Sequence, residues 1–183
     1  MARSGSGLVV KTFAIAGTMV CLAVCAFGQV TTGTTNVTAN IKHEATLSVD
    51  ASDSFLTTGS VFNNYTATTN FIYMIRTTQS TGSGKITVKV TTDFSPTGGP
   101  SVAIPPSAGD ALTYTCTASA PATPCSGTVT AKTTKATSVA TFGADAHSST
   151  TGNSGSVVWT LTNDPVYQTG SYTAIVTFTI SAT

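Results

Sequence analysis

The chain has 183 residues, with eight Lys or Arg against seven Asp or Glu and a formal net charge of +1. Charged residues are 8% of the whole, where about 25% is usual, and so sparse a charge argues against nucleic acid and anionic membrane as partners, both of which bind through clustered Lys or Arg. At 40% apolar, with the apolar residues alternating, the chain is not disordered either.

The chain opens on MARSGSGLVVK, which carries Arg3 and Lys11 and no acid, followed by the uncharged apolar run TFAIAGTMVCLAVCAF. Small residues at Ala26 and Gly28 complete the pattern of a secretory signal peptide over 1–28, with cleavage after Gly28 and, as the alternative, after Ala26. The apolar run is short for a bilayer-spanning helix, which needs about 20 residues, so no membrane contact is expected after cleavage. Cleavage takes Arg3, Lys11, Cys21 and Cys25 with it, so six basic residues then face seven acidic ones. The expected location is secreted or cell-surface, by way of the periplasm.

Residues 29–40, beginning QVTTGTT, read as a flexible N-terminal segment or donor strand, and 41–183 as one domain. Val37, Ala39 and Ile41 share one parity; Ala45, Leu47 and Val49 follow. Ile86, Val88 and Val90 alternate with Thr87 and Lys89, Leu112 and Tyr114 with Thr113 and Thr115, and Val157, Trp159 and Leu161 with Val158, Thr160 and Thr162. Each run reads as a strand with one buried and one wet face, and Thr suits the wet face because its branched side chain fits a pleated surface. NFIYMIR at 70–76 is apolar on both parities, which reads as a central strand covered on both sides. STGSG at 80–84, SPTGGP at 95–100, PPSAGD at 105–110 and TTGNSGS at 150–156 punctuate the chain as turns. About nine short strands separated by turns imply an all-β antiparallel β-sandwich, immunoglobulin-like by default.

Cys116 shares the parity of Leu112 and Tyr114, and Cys125 that of Val129 and Ala131. A Cys116–Cys125 disulfide is therefore expected to face the core from neighbouring strands and to close the loop CTASAPATPC at its neck, a structural device worth roughly 2–3 kcal/mol.

Chemistry is scarce. Asp145 and His147 give two metal ligands at most, short of a site; His43 and Glu44 sit in sequence near Asp50 and Asp53 without a calcium-loop pattern. No Gly-x-Ser-x-Gly elbow occurs, Glu44 is the only Glu, and TGSGK at 81–85 lacks the first Gly and the Ser or Thr of a phosphate loop and reads as a hairpin turn. Asn36 and Asn64 head glycosylation tripeptides. Trp159, by its parity with Val157 and Leu161, is expected in the core. No enzyme, cofactor or metal is expected.

One resemblance bears on function. Gly170-x-Tyr172-x-Ala174-x-Val176-Thr177-Phe178, with Ile180 continuing the alternation, resembles the C-terminal β-zipper of bacterial chaperone–usher pilus subunits. NVTANIKHEATLSVDAS at 36–52 resembles the N-terminal region of colonisation-factor-type pilins. The likeness covers the two ends of the chain. It implies a sandwich completed in a fibre by the N-terminal extension of the next subunit, and a periplasmic chaperone that holds the last strand in transit. Val37, Ala39, Ile41, Gly170, Tyr172, Ala174, Val176, Phe178 and Ile180 would carry strand exchange with a second copy or a related subunit. The expected function is that of a non-enzymatic structural or adhesive surface subunit assembling by β-strand addition. The alternative is a self-contained sandwich that binds a glycan or protein through loops such as 105–110 or 145–151.

Overall fold

The computed structural model describes residues 34–57, 59 and 61–183; the expected signal peptide at 1–28 and residues 29–33 lie outside the described residues. The body of the fold runs over Ala39–Thr183. Its strands, in chain order, are β1 (Glu44–Val49), β2 (Leu56–Thr57), β3 (Tyr65–Arg76), β4 (Gly84–Ser95), β5 (Leu112–Ala118), β6 (Thr123–Pro124), β7 (Val129–Thr130), β8 (Thr137–Phe142), β9 (Asn153–Leu161) and β10 (Thr173–Ala182), with no helix among the described residues. They form two antiparallel sheets. The first has the order β1-β3-β9-β5-β7, with β2 beside the start of β3, and the second the order β10-β4-β8-β6. This is the all-β sandwich that the alternation predicts.

The period of two does the sorting. Along β3, Ala67, Thr69, Phe71, Tyr73 and Ile75 point inward and are buried. Ile86, Val88 and Val90 answer from β4, Leu112 and Tyr114 from β5, Val139 from β8, and Val157, Trp159 and Leu161 from β9. Trp159 is a core residue, as expected, and its ring NH donates to the Thr69 hydroxyl at 2.8 Å. Gly155 interrupts the inward row of β9 because a Cβ there would collide with the Phe71 ring, which lies across the strand.

NFIYMIR is not covered on both sides. β3 is interior to its sheet, but Ile72 and Met74 point outward at 52% and 42% exposure, and Asn70 is exposed with them. The turn at Gly152 lies against Ile72 and Met74 there, yet both stay exposed, so apolar residues on both parities here reflect a wet strand that tolerates two apolar side chains. The STGSG turn also differs from expectation. It carries the chain from β3 in one sheet to β4 in the other, a corner and not a hairpin, closed by Gly82 N donating to Thr78 O at 3.0 Å. Val37, Ala39 and Ile41 belong to no strand: residues 34–43 pair with nothing as strand, because alternation alone supplies no partner edge.

The disulfide forms between the expected residues but joins different elements than the parity argument implies. Cys116 lies on β5 in the first sheet, and Cys125 directly follows β6 in the second, with Cα atoms 5.5 Å apart. The bridge therefore ties sheet to sheet. Cys125 N donates to Val139 O at 2.8 Å, which fixes that end to β8.

Candidate functional site

The two long sides of the sandwich differ. One side is sealed. There the edge strands β6 and β7 are two residues each, β6 carries Pro124, and the disulfide crosses between the sheets. The chain crosses there as well: Ala131 N donates to Leu112 O in the first sheet, and the next residue, Lys132, accepts from Val90 N in the second. The Tyr114 hydroxyl adds a polar tie from β5 to β8, 2.8 Å from both the Thr137 hydroxyl and the Ser138 carbonyl. Burial, only partly offset by the Thr137 hydrogen bond, pushes the Tyr114 phenol above its ordinary range.

The opposite side has no disulfide or hydrogen bond between the sheets' edge strands among the described residues. Its two edges are β1 and β10, which face each other across the gap between the sheets. Among the described residues β1 pairs only with β3, and β10 only with β4. Ala174, Val176, Phe178, Ile180 and Ala182 point inward from β10, and Leu47 and Val49 from β1, yet none of the seven is fully buried. Phe178 does reach the core, with ring centroids 6.3 Å from Phe71 and 6.4 Å from Trp159. The result is a narrow apolar slot, its two lips within about 8 Å of each other at their Cα atoms, with a backbone edge on each that is unpaired among the described residues.

Edge strands normally carry charge, Pro or bulges that discourage pairing. β10, TAIVTFTISA, has neither charge nor Pro. Its register against β4 is irregular between Thr173 and Val176 and regular from Val176 to Ala182. The regular part, seven residues, is the stretch whose outer edge can take another strand.

The sequence-derived assembly residues divide accordingly. Val176, Phe178 and Ile180 line the slot, and Ala174 sits at the irregular start of β10. Gly170 and Tyr172 do not belong to the row: both precede β10, the Tyr172 hydroxyl donates to Gln168 O at 2.7 Å, and its ring packs so close over Gly99 that a Cβ there would collide with it. Val37, Ala39 and Ile41 are exposed on residues 34–43, Val37 at 91% and Ile41 at 70%. By alternation Leu47 and Val49 form an ordinary strand face; their place as the second lip depends on which strands end up at the edges, which periodicity does not encode.

The remaining candidates separate. Asp145 Oδ1 lies 3.7 Å from His147 Nε2, both more than half exposed, and no group of three metal-ligating side chains occurs among the described residues. His43 and Glu44 do not meet Asp50: β1 holds them at opposite ends, where Glu44 pairs with Arg76 at 2.9 Å and Asp50 accepts from Asn70 N and Nδ2 at 3.1 and 3.0 Å. Asp53 accepts from the Thr69 hydroxyl. These carboxylates pin a turn to β3.

The two ends of the sandwich also differ. At one end, three connections meet: 61–64, 96–111 and 162–172. Asn163 bonds back to Asn63 and Asn64, Gln168 N donates to Gly98 O at 2.8 Å, and the Tyr167 hydroxyl donates to Asp110 at 3.0 Å. Burial first, then the Asp110 carboxylate and Asp164, push the Tyr167 phenol far above its ordinary range. This end displays Val61, Phe62, Ile104 and Val166 at 57–85% exposure and has no Lys or Arg. The opposite end, 77–83 and 143–152, exposes no large apolar side chain among the described residues.

No protein-family model, curated protein or solved structure matches the chain.

Proposed function

We propose that the protein is an exported, non-enzymatic structural subunit that joins copies of itself by β-strand addition at the slot between β1 and β10. The observation that carries this reading is the uncharged, proline-free edge of β10 over Val176–Ala182, unpaired among the described residues, with its inward side chains left half-covered. A strand added there gains ladder hydrogen bonds along its whole length and apolar contacts at every second residue. Residues 35–41 match the seven-residue edge in length and offer Val37, Ala39 and Ile41 on one parity, and burying each of the two larger side chains contributes about 1.5–3 kcal/mol. The resemblance to pilus subunits points the same way, and a periplasmic chaperone occupying the slot in transit belongs to this reading.

The test uses the exposed residues. Val37→Asp with Ile41→Asp removes the donor's apolar row at positions whose exposure makes them irrelevant to the fold. The purified exported chain is expected to give a ladder of oligomers in gel filtration, and the double variant a monomer with unchanged melting temperature. A wild-type chain that runs as a monomer at all concentrations, or a variant ladder identical to wild type, refutes strand addition.

A second reading is favoured by one observation, the apolar display of Phe62, Ile104 and Val166 on three loops hydrogen-bonded to one another. Large apolar side chains gathered on a surface mark a contact site. In that reading the chain is a self-contained secreted sandwich that holds a protein or glycan ligand through this loop end. A stable monomer in the experiment above favours it.

A further inference from the structure

The charged residues are few, and the fold sorts them. Six Lys or Arg lie in the described chain, and four of them, Lys85, Lys89, Lys132 and Lys135, belong to β4 and to the connection beside it in the second sheet. Lys85 and Lys89 stand on the outward face of β4, four residues apart, hence about 13 Å along the strand. Lys132 and Lys135 lie on the exposed connection that runs beside β4, anchored by Val90 N donating to Lys132 O at 3.1 Å. None of the four makes an ion pair among the described residues. The acids lie elsewhere: Glu44, Asp50 and Asp53 at the β1–β2 edge of the other sheet, Asp145 at one end, Asp110 and Asp164 in the loops of the other. The one acid on these strands, Asp93, follows Lys89 on β4 at the same four-residue interval that separates Lys85 from Lys89, and its carboxylate is taken up by residues 101–103.

Between the lysines the face carries hydroxyls in register. Lys85 stands between Ser181 of β10 and Thr141 of β8, Thr87 between Thr179 and Ser138, and Lys89 beside Thr177. No aromatic side chain points outward from the regular part of this sheet, so there is no platform on which nucleic-acid bases could stack.

From this juxtaposition we propose that the outer face of the β10-β4-β8-β6 sheet binds an anionic polysaccharide, one bearing carboxylate or sulfate groups. Unpaired lysines at strand spacing meet the charges, and the Ser and Thr rows between them offer donors and acceptors to sugar hydroxyls. The uncharged Ser and Thr side chains between Lys85 and Lys89 leave room for an extended chain along the strands. The face is separate from the slot and is complete in a single copy, so the binding does not depend on assembly; in a polymer the same patch would recur once per copy and bind by avidity.

The test is chromatography of the full exported chain on heparin (sulfate), polygalacturonate (carboxylate) and double-stranded DNA supports, loaded at about 50 mM salt, where screening is modest. Retention on at least one polysaccharide, eluted by salt, is expected, with weaker retention on DNA. Lys85→Gln with Lys89→Gln should lower the affinity by up to about fivefold per lysine, and the quadruple Gln variant should pass through, with wild-type melting temperature. Lys42→Gln, which removes a lysine away from the face, should elute with wild type. Passage of the wild-type chain through both polysaccharides overturns the proposal. So does an equal effect of Lys42→Gln and the Lys85/Lys89 pair, which would mean that total charge alone sets retention. Retention on DNA at higher salt than on either glycan replaces it with a nucleic-acid surface.

Discussion

Asp93 shows how one residue can hold a long loop. At the end of β4, its carboxylate accepts from Phe94 N at 2.8 Å, Ser101 Oγ at 2.7 Å, Val102 N at 2.8 Å and Ala103 N at 3.0 Å. Burial alone would raise this carboxyl; the four hydrogen bonds to its charged form outweigh burial and hold it below the ordinary carboxylate range. A carboxyl lowered in the folded state contributes stability that is present above the unfolded value of 3.8 and is lost as pH falls through the folded value. Asp93→Asn removes the charge but leaves an acceptor. At pH 7 the variant is expected to be less stable by about 1–2 kcal/mol, the scale of charge-assisted hydrogen bonds moderated by solvent. Denaturant melts across pH should show the gap between wild type and variant closing below about pH 4; a gap that is constant with pH would mean that the charge contributes nothing.

At the scale of elements, the sandwich is fastened on one side and, among the described residues, unfastened on the other, and the disulfide is the strongest fastener. It links β5 to the residue after β6 with a sequence separation of 9. Replacing both cysteines, Cys116→Ala with Cys125→Ala, should cost about 2–3 kcal/mol by loss of loop closure. Because the bond joins the two sheets, hydrogen exchange should rise first at β6 and at its contact with β8, before β3 and β9; uniform loosening would place the bond's effect in the unfolded chain alone. The strands themselves were legible from odd–even spacing, and so were Trp159 in the core and the Cys116–Cys125 pair. What spacing left unread was which sheet each strand joins. Cys116 and Cys125 have inward parity whether their strands are neighbours or lie in opposite sheets, and STGSG makes an equally good hairpin or corner. For the same reason the slot was half visible: Val176, Phe178 and Ile180 announce an amphipathic strand, while the half-covered state of Leu47 and Val49 depends on β1 and β10 being the two edges of the same side. The placing of four lysines on β4 and the connection beside it was invisible, since Lys85 and Lys135 are fifty residues apart in a chain whose overall charge is near zero.

At the scale of the whole molecule, the proposed donor segment and acceptor edge are different surfaces, so the proposed strand addition between identical copies is heterologous and builds an open chain unless its rotation closes a ring. Each copy then has one donor and one acceptor, and the two can be disabled separately. Val37→Asp with Ile41→Asp leaves the slot intact and kills the donor. Val176→Lys places an inward charge at the start of the regular edge, a device by which natural edges refuse partners, and leaves the donor intact. Val176 is only half-covered, so the lysine reaches solvent and the fold is expected to survive, which circular dichroism checks directly. Alone, each variant should be a monomer. Mixed in equal amounts, they should form one species, a 1:1 dimer, because the only competent pairing is the donor of the Val176→Lys chain with the slot of the Val37→Asp/Ile41→Asp chain. Either variant added to wild type should shorten the oligomer ladder from one end, in proportion to its share. Analytical ultracentrifugation distinguishes these outcomes: a mixture that stays monomeric, or that builds a ladder, would show that these two surfaces are not each other's partners.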